Sequence, residues 1–237
     1  MIKAILFDID DTLFPTTAFA LEARKAAVRA MVAAGLDFPE DVVFDELLEV
    51  IAEFSSNYAQ HFNKLIERLD PHHERCRNAD LVIAAGVSAY HDTKFRSLAP
   101  FKDVPAALRA AREKGLVVGV LSHGWTSKQA EKLVRLGLAQ HFDPDAIFIS
   151  EQIGINKPNP KLYQRACERL GLDPTEVIYV GDNPAHDVMP AKSLGMTTVW
   201  ARRASRWNVS GEAVEADHVI DDFEQLRELI EALPTPH

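Results

Sequence analysis

The sequence is poor in the features that mark disulfide-rich and membrane-spanning proteins. Its 237 residues include two cysteines, Cys76 and Cys167, which lie far apart and lack Cys-x-x-Cys spacing. We therefore expect two reduced thiols and no disulfide framework. The longest apolar stretches, such as 116–121, fall far short of the roughly 18 residues that cross a bilayer. The sequence accordingly predicts no transmembrane helix and no membrane partner.

A signal peptide and a long basic run are also missing. The segment Met1–Phe7 lacks a long apolar region and a cleavage site and continues directly into Asp8, so a cytoplasmic location is the expectation. Lys and Arg number 26 against 35 Asp and Glu, which gives a net charge of −9. Nucleic-acid phosphates need a basic stripe, so a nucleic-acid partner is not expected. With 47% hydrophobic residues, the chain can bury a core in one large domain or in a domain with an insertion.

From Asp103 onward, segments with helical periodicity alternate with short β-branched runs. Residues 116–122 form one such run, and the helical segment 126–136 that follows it stops at Gly137. This alternation predicts an α/β fold, a doubly wound, Rossmann-like parallel sheet with helices on both faces. The other strands are predicted at 4–7, 146–150, 177–180, 197–200 and 218–220, and the other helices at 103–114, 160–170, 184–194 and 223–233.

Residues 15–98 have a different sequence pattern. Strand-like runs are absent from it, and apolar residues recur with the period of amphipathic helices. The sequence therefore predicts two domains, an α/β core of residues 1–14 and 99–237 and an all-helical insertion, 15–98. Two further helices of the insertion are predicted at 18–34 and 79–95. The two apolar stripes that predict the others are Val42, Val43, Leu47, Ile51 and Phe54, and Tyr58, Phe62, Leu65, Ile66 and Leu69.

Acidic residues follow the first predicted strand directly. Asp8, Asp10 and Asp11 crowd their carboxylates where the chain leaves the sheet, the edge at which doubly wound folds bind ligands. Taken alone, the segment could also be a turn, in which Asp and Thr are common. However, repulsion between carboxylates ~4–6 Å apart favours a cation, and Mg²⁺ prefers carboxylates together with water and substrate phosphate. We therefore predict Mg²⁺ as the cofactor.

Other polar residues lie at strand ends or in adjoining loops. Ser122 closes one predicted strand, Lys157 lies in a loop, and Asp182 and Asp187 follow the strand at 177–180. Each of them alone is explained by a helix cap or a solvated charge. Their joint placement around the ends of the strands favours a shared site.

In this chain order the motifs resemble those of the haloacid dehalogenase superfamily of hydrolases. The segment Asp8–Thr12 reads DIDDT, similar to the family's DxDxT, and Ser122 stands at its Ser/Thr position. Lys157 stands at its lysine position, and Gly181–Asp187 reads GDNPAHD, similar to GDxxxxD. The resemblance covers the whole chain and implies a phosphatase-like branch with a helical cap inserted after the first strand. One departure is His123, where relatives often have Asn, so His123 becomes a candidate pocket residue.

The residue types support a two-step phosphatase mechanism. Asp8 would attack phosphorus, and Asp10 would protonate the leaving alkoxide and then deprotonate the hydrolytic water. Ser122 would hold phosphoryl oxygens, and Lys157 would offset negative charge. The predicted catalytic residues are Asp8, Asp10 and Lys157; the predicted substrate- or phosphate-binding residues are Ser122, His123 and Lys157; and the predicted metal ligands are Asp8, Asp182 and Asp10 through its backbone carbonyl, supported by Asp187.

The sequence leaves other activities of this superfamily open. A 2-haloacid dehalogenase shares the nucleophile but needs neither a second acid nor Mg²⁺, so Asp10 and Asp182 favour the phosphatase. A phosphonatase would need a Schiff-base lysine, and Lys64 and Lys94 have ordinary amphipathic surroundings. A phosphomutase and a non-catalytic binding protein on the same fold are further alternatives. The predicted partner is a small phosphorylated metabolite, and the chain is predicted to be a monomer or homodimer.

Overall fold

The computed structural model of the protein describes residues 1–54, 58–72, 74–96, 98–206 and 215–234. The chain divides into two compact units. The first unit comprises Met1–Thr16 and Ala99–His237, and the second comprises Thr17–Leu98.

The first unit is built on a six-stranded sheet in which all paired strands are parallel. The strand order is β3-β2-β1-β4-β5-β6. The chain therefore moves outward from β1 on one side and returns to the other side of β1 with β4, as in doubly wound folds. The predicted fold class is confirmed. The strands are β1 (Ala4–Phe7), β2 (Val117–Ser122), β3 (Ile147–Ile149), β4 (Val177–Gly181), β5 (Thr197–Ala201) and β6 (His218–Ile220).

Ten α-helices accompany the sheet within the described residues. Four of them belong to the inserted segment, with α1 beginning at the boundary between the units, and six belong to the first unit. The helices are α1 (Thr16–Ala33), α2 (Glu40–Phe54), α3 (His61–Leu69), α4 (Ala79–Arg96), α5 (Val104–Glu113), α6 (Thr126–Arg135), α7 (Ser150–Ile153), α8 (Pro160–Leu170), α9 (Met189–Lys192) and α10 (Phe223–Ala232).

The central strands are hydrophobic throughout because both faces of the sheet are covered. Every residue of β1 and of β4 is buried. A core cluster lies among β1, β4 and α8, with Leu6, Tyr163 and Tyr179 among its members. A parallel sheet covered on both faces requires such continuous apolar runs, which is why the strands were visible in the sequence.

The second unit has a hydrophobic core of its own. Met31, Leu47 and Leu65 are fully or almost fully buried in a cluster formed by the helices of the insertion. Two details of the predicted stripes are wrong. Tyr58 precedes α3, which begins at His61, and Val42 is 44% exposed while its neighbour Val43 is buried. A helix buries a narrower face than the apolar residues alone suggest.

The predicted helix 184–194 is instead a π-helical turn, Pro184–Val188, followed by the short helix α9. The physical reason lies in Pro190. Proline has no N–H to donate to the carbonyl of His186 four residues earlier. That carbonyl accepts the hydroxyl of Tyr163 instead, and the N–H of Met189 bonds to Pro184. The wider turn is the result.

Both cysteines are free and buried, in agreement with the expected reduced thiols. Among the described residues there is also no helix whose length and apolar character would let it cross a membrane.

Candidate active site

The ends of three neighbouring strands bring the candidate residues together. Phe7 pairs with Val120 of β2 and with Val180 of β4, so the chain leaves the three strands at nearly the same level. Asp8 follows β1, and Ser122 ends β2. In the loop after β1, Asp11 has a φ of 55°, a left-handed conformation that Asp tolerates better than most residues.

The carboxylates of Asp8, Asp182 and Asp187 form an acidic cluster. One oxygen from each lies within 4.8 Å of the others. Burial, followed by the charge of Asp8, raises the pKa of Asp182 to about 8. Burial likewise raises the pKa of Asp8 to about 6. Three carboxylates in a desolvated space carry more negative charge than one lysine offsets, and a hard divalent cation fits such an oxygen donor set.

Lys157 supplies the positive charge at the centre of this cluster. Its Nζ donates to Asp8 Oδ1 at 2.6 Å and to Asp187 Oδ1 at 2.7 Å, and its side chain is 3% exposed. Burial alone would lower the pKa of Lys157, but the two carboxylates hold that pKa above its usual value. Ser122 Oγ donates to the same Asp8 oxygen at 3.3 Å. The Asp8 carboxylate is thus oriented by an ammonium group and a hydroxyl.

Asp187 reaches the cluster because it packs directly against Gly181, which has no side chain. At Gly181, a β-carbon would lie 2.5 Å from both Cβ and Oδ2 of Asp187, so any larger residue would displace the carboxylate. The backbone N–H of Asn183 donates to Asp187 Oδ2 at 3.0 Å. Asp182 is fixed from another side, since Trp200 Nε1 donates to its backbone carbonyl at 2.8 Å.

Asp10 lies beside this cluster, with its carboxylate held by a separate set of partners. Lys132 Nζ lies 2.6 Å from both carboxylate oxygens, Gln129 Nε2 donates at 3.1 Å, and Thr16 Oγ1 donates at 2.6 Å. Burial would raise the pKa of Asp10, but Lys132 outweighs it and the pKa is lowered. Asp10 is therefore ionised at neutral pH. Its predicted metal contact through the backbone carbonyl stays a prediction.

His123 lies in the loop after β2 and is exposed. Its Nδ1 is 3.5 Å from Ser150 Oγ, and its backbone carbonyl accepts from Gln129 Nε2 at 2.6 Å. Partial burial of the ring, followed by the charge of Lys157, lowers the pKa of His123. The imidazole is therefore neutral at pH 7 and can serve as donor or acceptor toward a substrate.

Sequence reasoning missed five residues that contact the site, one of them Thr16, which precedes the inserted unit and donates to Asp10. Lys132 and Gln129 resemble ordinary polar positions of a helix, and Trp200 and Tyr179 are aromatic residues within strands. One signal was available for Tyr179. A tyrosine in a strand buried on both faces must find a partner for its hydroxyl, so it points to buried polar groups nearby.

Comparison with known proteins agrees with this geometry. The family model for a hydrolase, haloacid dehalogenase-like hydrolase, matches residues 2–195. A glyceraldehyde 3-phosphate phosphatase of Methanopyrus kandleri is 43% identical over 98% of this chain and 97% of its own. A second, from Methanothermobacter thermautotrophicus, is 37% identical over 97% of this chain and 100% of its own.

Solved structures point the same way. The crystal structure of a HAD phosphatase from Thermococcus onnurineus has a TM-score of 0.66 and 26% sequence identity, and the match covers 97% of this chain and 98% of that one. The relatives and the fold match over nearly the full length, and the family model over residues 2–195. The chain therefore belongs to the haloacid dehalogenase-like hydrolase family, among its phosphatases.

Proposed function

We propose that the protein hydrolyses a small phosphate monoester, with Mg²⁺ as cofactor, through an aspartyl-phosphate formed on Asp8. One observation carries this proposal. The Asp8 side chain is 9% exposed, has one carboxylate oxygen oriented by Lys157 and Ser122, and lies beside two further carboxylates at the carboxyl edge of the sheet. A nucleophile held in this way needs little reorganisation before it attacks.

The chemistry would proceed in two balanced steps. In the first, an Asp8 oxygen forms a bond to phosphorus, the bond from phosphorus to the ester oxygen breaks, and the leaving alkoxide takes a proton from Asp10. In the second, water attacks the aspartyl-phosphate and gives its proton to Asp10. Inorganic phosphate leaves, and the Asp8 carboxylate is restored.

The surroundings of Asp10 support the second step directly. Three donors stabilise the ionised carboxylate, which is the form that accepts a proton from water. Proton donation in the first step requires Asp10 to carry a proton, and therefore requires its contact with Lys132 to loosen once substrate is bound. We propose that Lys132 sets the balance between the acid and base roles of Asp10.

The acidic cluster supports a metal role for Asp8 and Asp182. We propose that these two carboxylates and the backbone carbonyl of Asp10 hold Mg²⁺, with Asp187 supporting them while bonded to Lys157. When bound, Mg²⁺ supplies positive charge that reduces the repulsion between a phosphate dianion and the nucleophile. Lys157 would contribute to the same end through its positive charge, and Ser122 by turning its hydroxyl toward a phosphoryl oxygen.

For the substrate, we propose a phosphorylated compound of about three carbons, with glyceraldehyde 3-phosphate as the first candidate. The support is the two relatives that match nearly the whole chain, both of which are glyceraldehyde 3-phosphate phosphatases. We propose further that the inserted unit, Thr17–Leu98, acts as a cap that selects the substrate, because every candidate catalytic residue belongs to the other unit. The cytoplasmic location and the choice between monomer and homodimer stay predictions.

The test is release of inorganic phosphate by the purified full-length protein, with and without Mg²⁺. The panel contains glyceraldehyde 3-phosphate, glycerol 3-phosphate, phosphoserine and p-nitrophenyl phosphate, and a 2-haloacid tests the dehalogenase alternative through halide release. We expect Mg²⁺-dependent phosphate release, fastest with glyceraldehyde 3-phosphate, and no halide. Asp8→Asn should lower kcat by about a thousandfold or more, since a covalent nucleophile is lost. Substantial activity of Asp8→Asn would show that another residue attacks phosphorus.

A further inference from the structure

Tyr179 is a buried side chain of β4 whose hydroxyl lies among the charged groups of the active site. Its oxygen is 2.7 Å from Lys157 Nζ, 2.9 Å from the backbone carbonyl of Leu121 and 3.2 Å from Asp187 Oδ1. The residue is 1% exposed, and burial raises its pKa well above the usual value, so the hydroxyl keeps its proton. The proposed phosphatase mechanism assigns no role to this hydroxyl.

The hydrogen-bond inventory assigns the direction of each contact. A tyrosine hydroxyl has one proton to donate, and an ammonium group has three and accepts none. Tyr179 therefore accepts from Lys157 and donates to Leu121, the shorter of its two acceptor contacts. Lys157 has three acceptors in turn, which are Asp8, Asp187 and Tyr179. All three of its protons are engaged, and its orientation is fixed.

We propose that Tyr179 is a positioning residue, which acts through Lys157 and keeps the ammonium group aligned with Asp8. The inference rests on the proposed function of Lys157. The hydroxyl is a neutral acceptor, so it holds the ammonium group without adding negative charge to a site that must receive a phosphate. It also ties Lys157 to the carbonyl of Leu121, the residue before Ser122, and so connects the two groups that orient the nucleophile.

The chain offers a matched control in Tyr163. This tyrosine is also buried, its ring packs edge-on against Tyr179 with centroids 5.0 Å apart, and its hydroxyl donates to the backbone carbonyl of His186. No hydrogen bond or ion pair links Tyr163 to Lys157 among the described contacts. Tyr163→Phe therefore removes one buried tyrosine hydroxyl from the same cluster and leaves the acceptors of Lys157 intact.

The first measurement is steady-state kinetics of the wild type and both variants with p-nitrophenyl phosphate at saturating Mg²⁺. Tyr179→Phe should lower kcat by about tenfold and change KM by less than about twofold, because the alignment of Lys157 matters most as charge develops in the transition state. Tyr163→Phe keeps the three acceptors of Lys157, so its kcat should fall clearly less than that of Tyr179→Phe. Equal kcat values for the two variants, or a loss in Tyr179→Phe that appears in KM alone, would overturn the inference.

The second measurement does not depend on activity. In protein labelled with ¹⁵N-lysine, ammonium protons are seen only where hydrogen bonds slow their exchange with water, and Lys157→Arg assigns the signal. We expect it in the wild type and in Tyr163→Phe, and broadened or lost in Tyr179→Phe. Its absence from the wild type would refute the inference even if Tyr179→Phe failed to fold. An inactive wild type with this spectrum would instead refute the proposed phosphatase function alone.

Discussion

Asp10 has its carboxylate enclosed by Lys132, Gln129 and Thr16, and each of these groups donates to it. The ion pair with Lys132 dominates because the lysine side chain is only 16% exposed, so water screens the attraction less than at an open surface. The pKa of Asp10 is lowered as a result. A carboxyl with a depressed pKa is a base over a wide range of pH, and activity that needs this base fails only in acid.

Replacement of Lys132 by Met should therefore move the acidic limb of the pH profile of kcat to higher pH. The sign follows from the pKa of Asp10. Lys132 stabilises the ionised carboxylate, so without Lys132 the pKa rises and Asp10 takes up a proton at a higher pH. A shift of about one pH unit corresponds to about 1.4 kcal/mol of lost stabilisation. The measurement is kcat against pH at saturating Mg²⁺ for the variant and the wild type.

Arg135→Met is the control for that profile. Arg135 is on the same helix α6 and pairs with Glu131, so the variant loses the same charge at another position. Its acidic limb should coincide with that of the wild type. An unchanged limb in Lys132→Met would mean that a group other than Asp10 limits activity in acid.

The residues that could be predicted are those that follow strands directly. Asp8, Ser122 and Asp182 stand at strand ends, and parallel strands place their carboxyl ends at one edge, so the sequence alone predicted that these side chains lie near one another. Lys132 could not be predicted in the same way. It lies on α6, and which face of a helix meets the loop after β1 depends on packing between elements that are distant in the sequence.

At the scale of elements, periodicity predicted the sheet and most helices to within a residue or two, because the central strands are buried on both faces and most helices bury one face. In the segment after β4, periodicity did not predict the structure correctly. Its apolar spacing is helical, but Pro190 withholds a hydrogen bond and Tyr163 takes the carbonyl of His186. The donor comes from α8, more than twenty positions earlier, and a local pattern carries no information on such a partner.

The end of β4 also contains a glycine with a specific steric role. Gly181→Ala should disrupt the site, because the added methyl group would lie 2.5 Å from Cβ of Asp187 and force that side chain away from Lys157. Overpacking of this kind costs about 1–3 kcal/mol of stability. We expect a lower thermal midpoint and, beyond that, a loss of at least about tenfold in kcat, because Lys157 loses one of its fixed acceptors. Thermal unfolding and steady-state kinetics measure the two effects.

Gly119→Ala separates the two effects. A methyl group there would collide with the backbone carbonyl of Ala146 and lie 2.6 Å from a methyl carbon of Leu6, so it overpacks the sheet without touching the acidic cluster. This variant should lose stability and keep its kcat at temperatures where it is folded. If both glycine variants lost kcat to the same degree, the effect at Gly181 would be general destabilisation and not displacement of Asp187.

At the scale of the whole molecule, the acidic cluster links stability to pH and to Mg²⁺. The pKa of Asp182 is about 8 in the folded protein without metal, against about 3.9 for an Asp in an unfolded chain. Between these values the folded state holds a proton that the unfolded state has released, so stability falls as pH rises, and the whole penalty is present above pH 8. At the proposed metal site, Mg²⁺ would replace that proton and remove the penalty. Mg²⁺ and protons would then compete for the same carboxylate.

The difference in thermal midpoint between Mg²⁺ and a chelator should consequently widen as pH rises from about 6.5 to 8.5. At a hundredfold excess over Kd, Mg²⁺ stabilises the folded state by about 2.7 kcal/mol, which is about 5–10 °C for a chain of this size. Asp182→Asn should abolish most of the difference and its pH dependence, whereas Asp145→Asn, at an exposed position of the same unit, should leave both unchanged. A difference that stays constant with pH would place the metal away from Asp182. A difference that survives in Asp182→Asn would do the same, because a cation can only displace a proton from a carboxylate that it contacts or closely approaches.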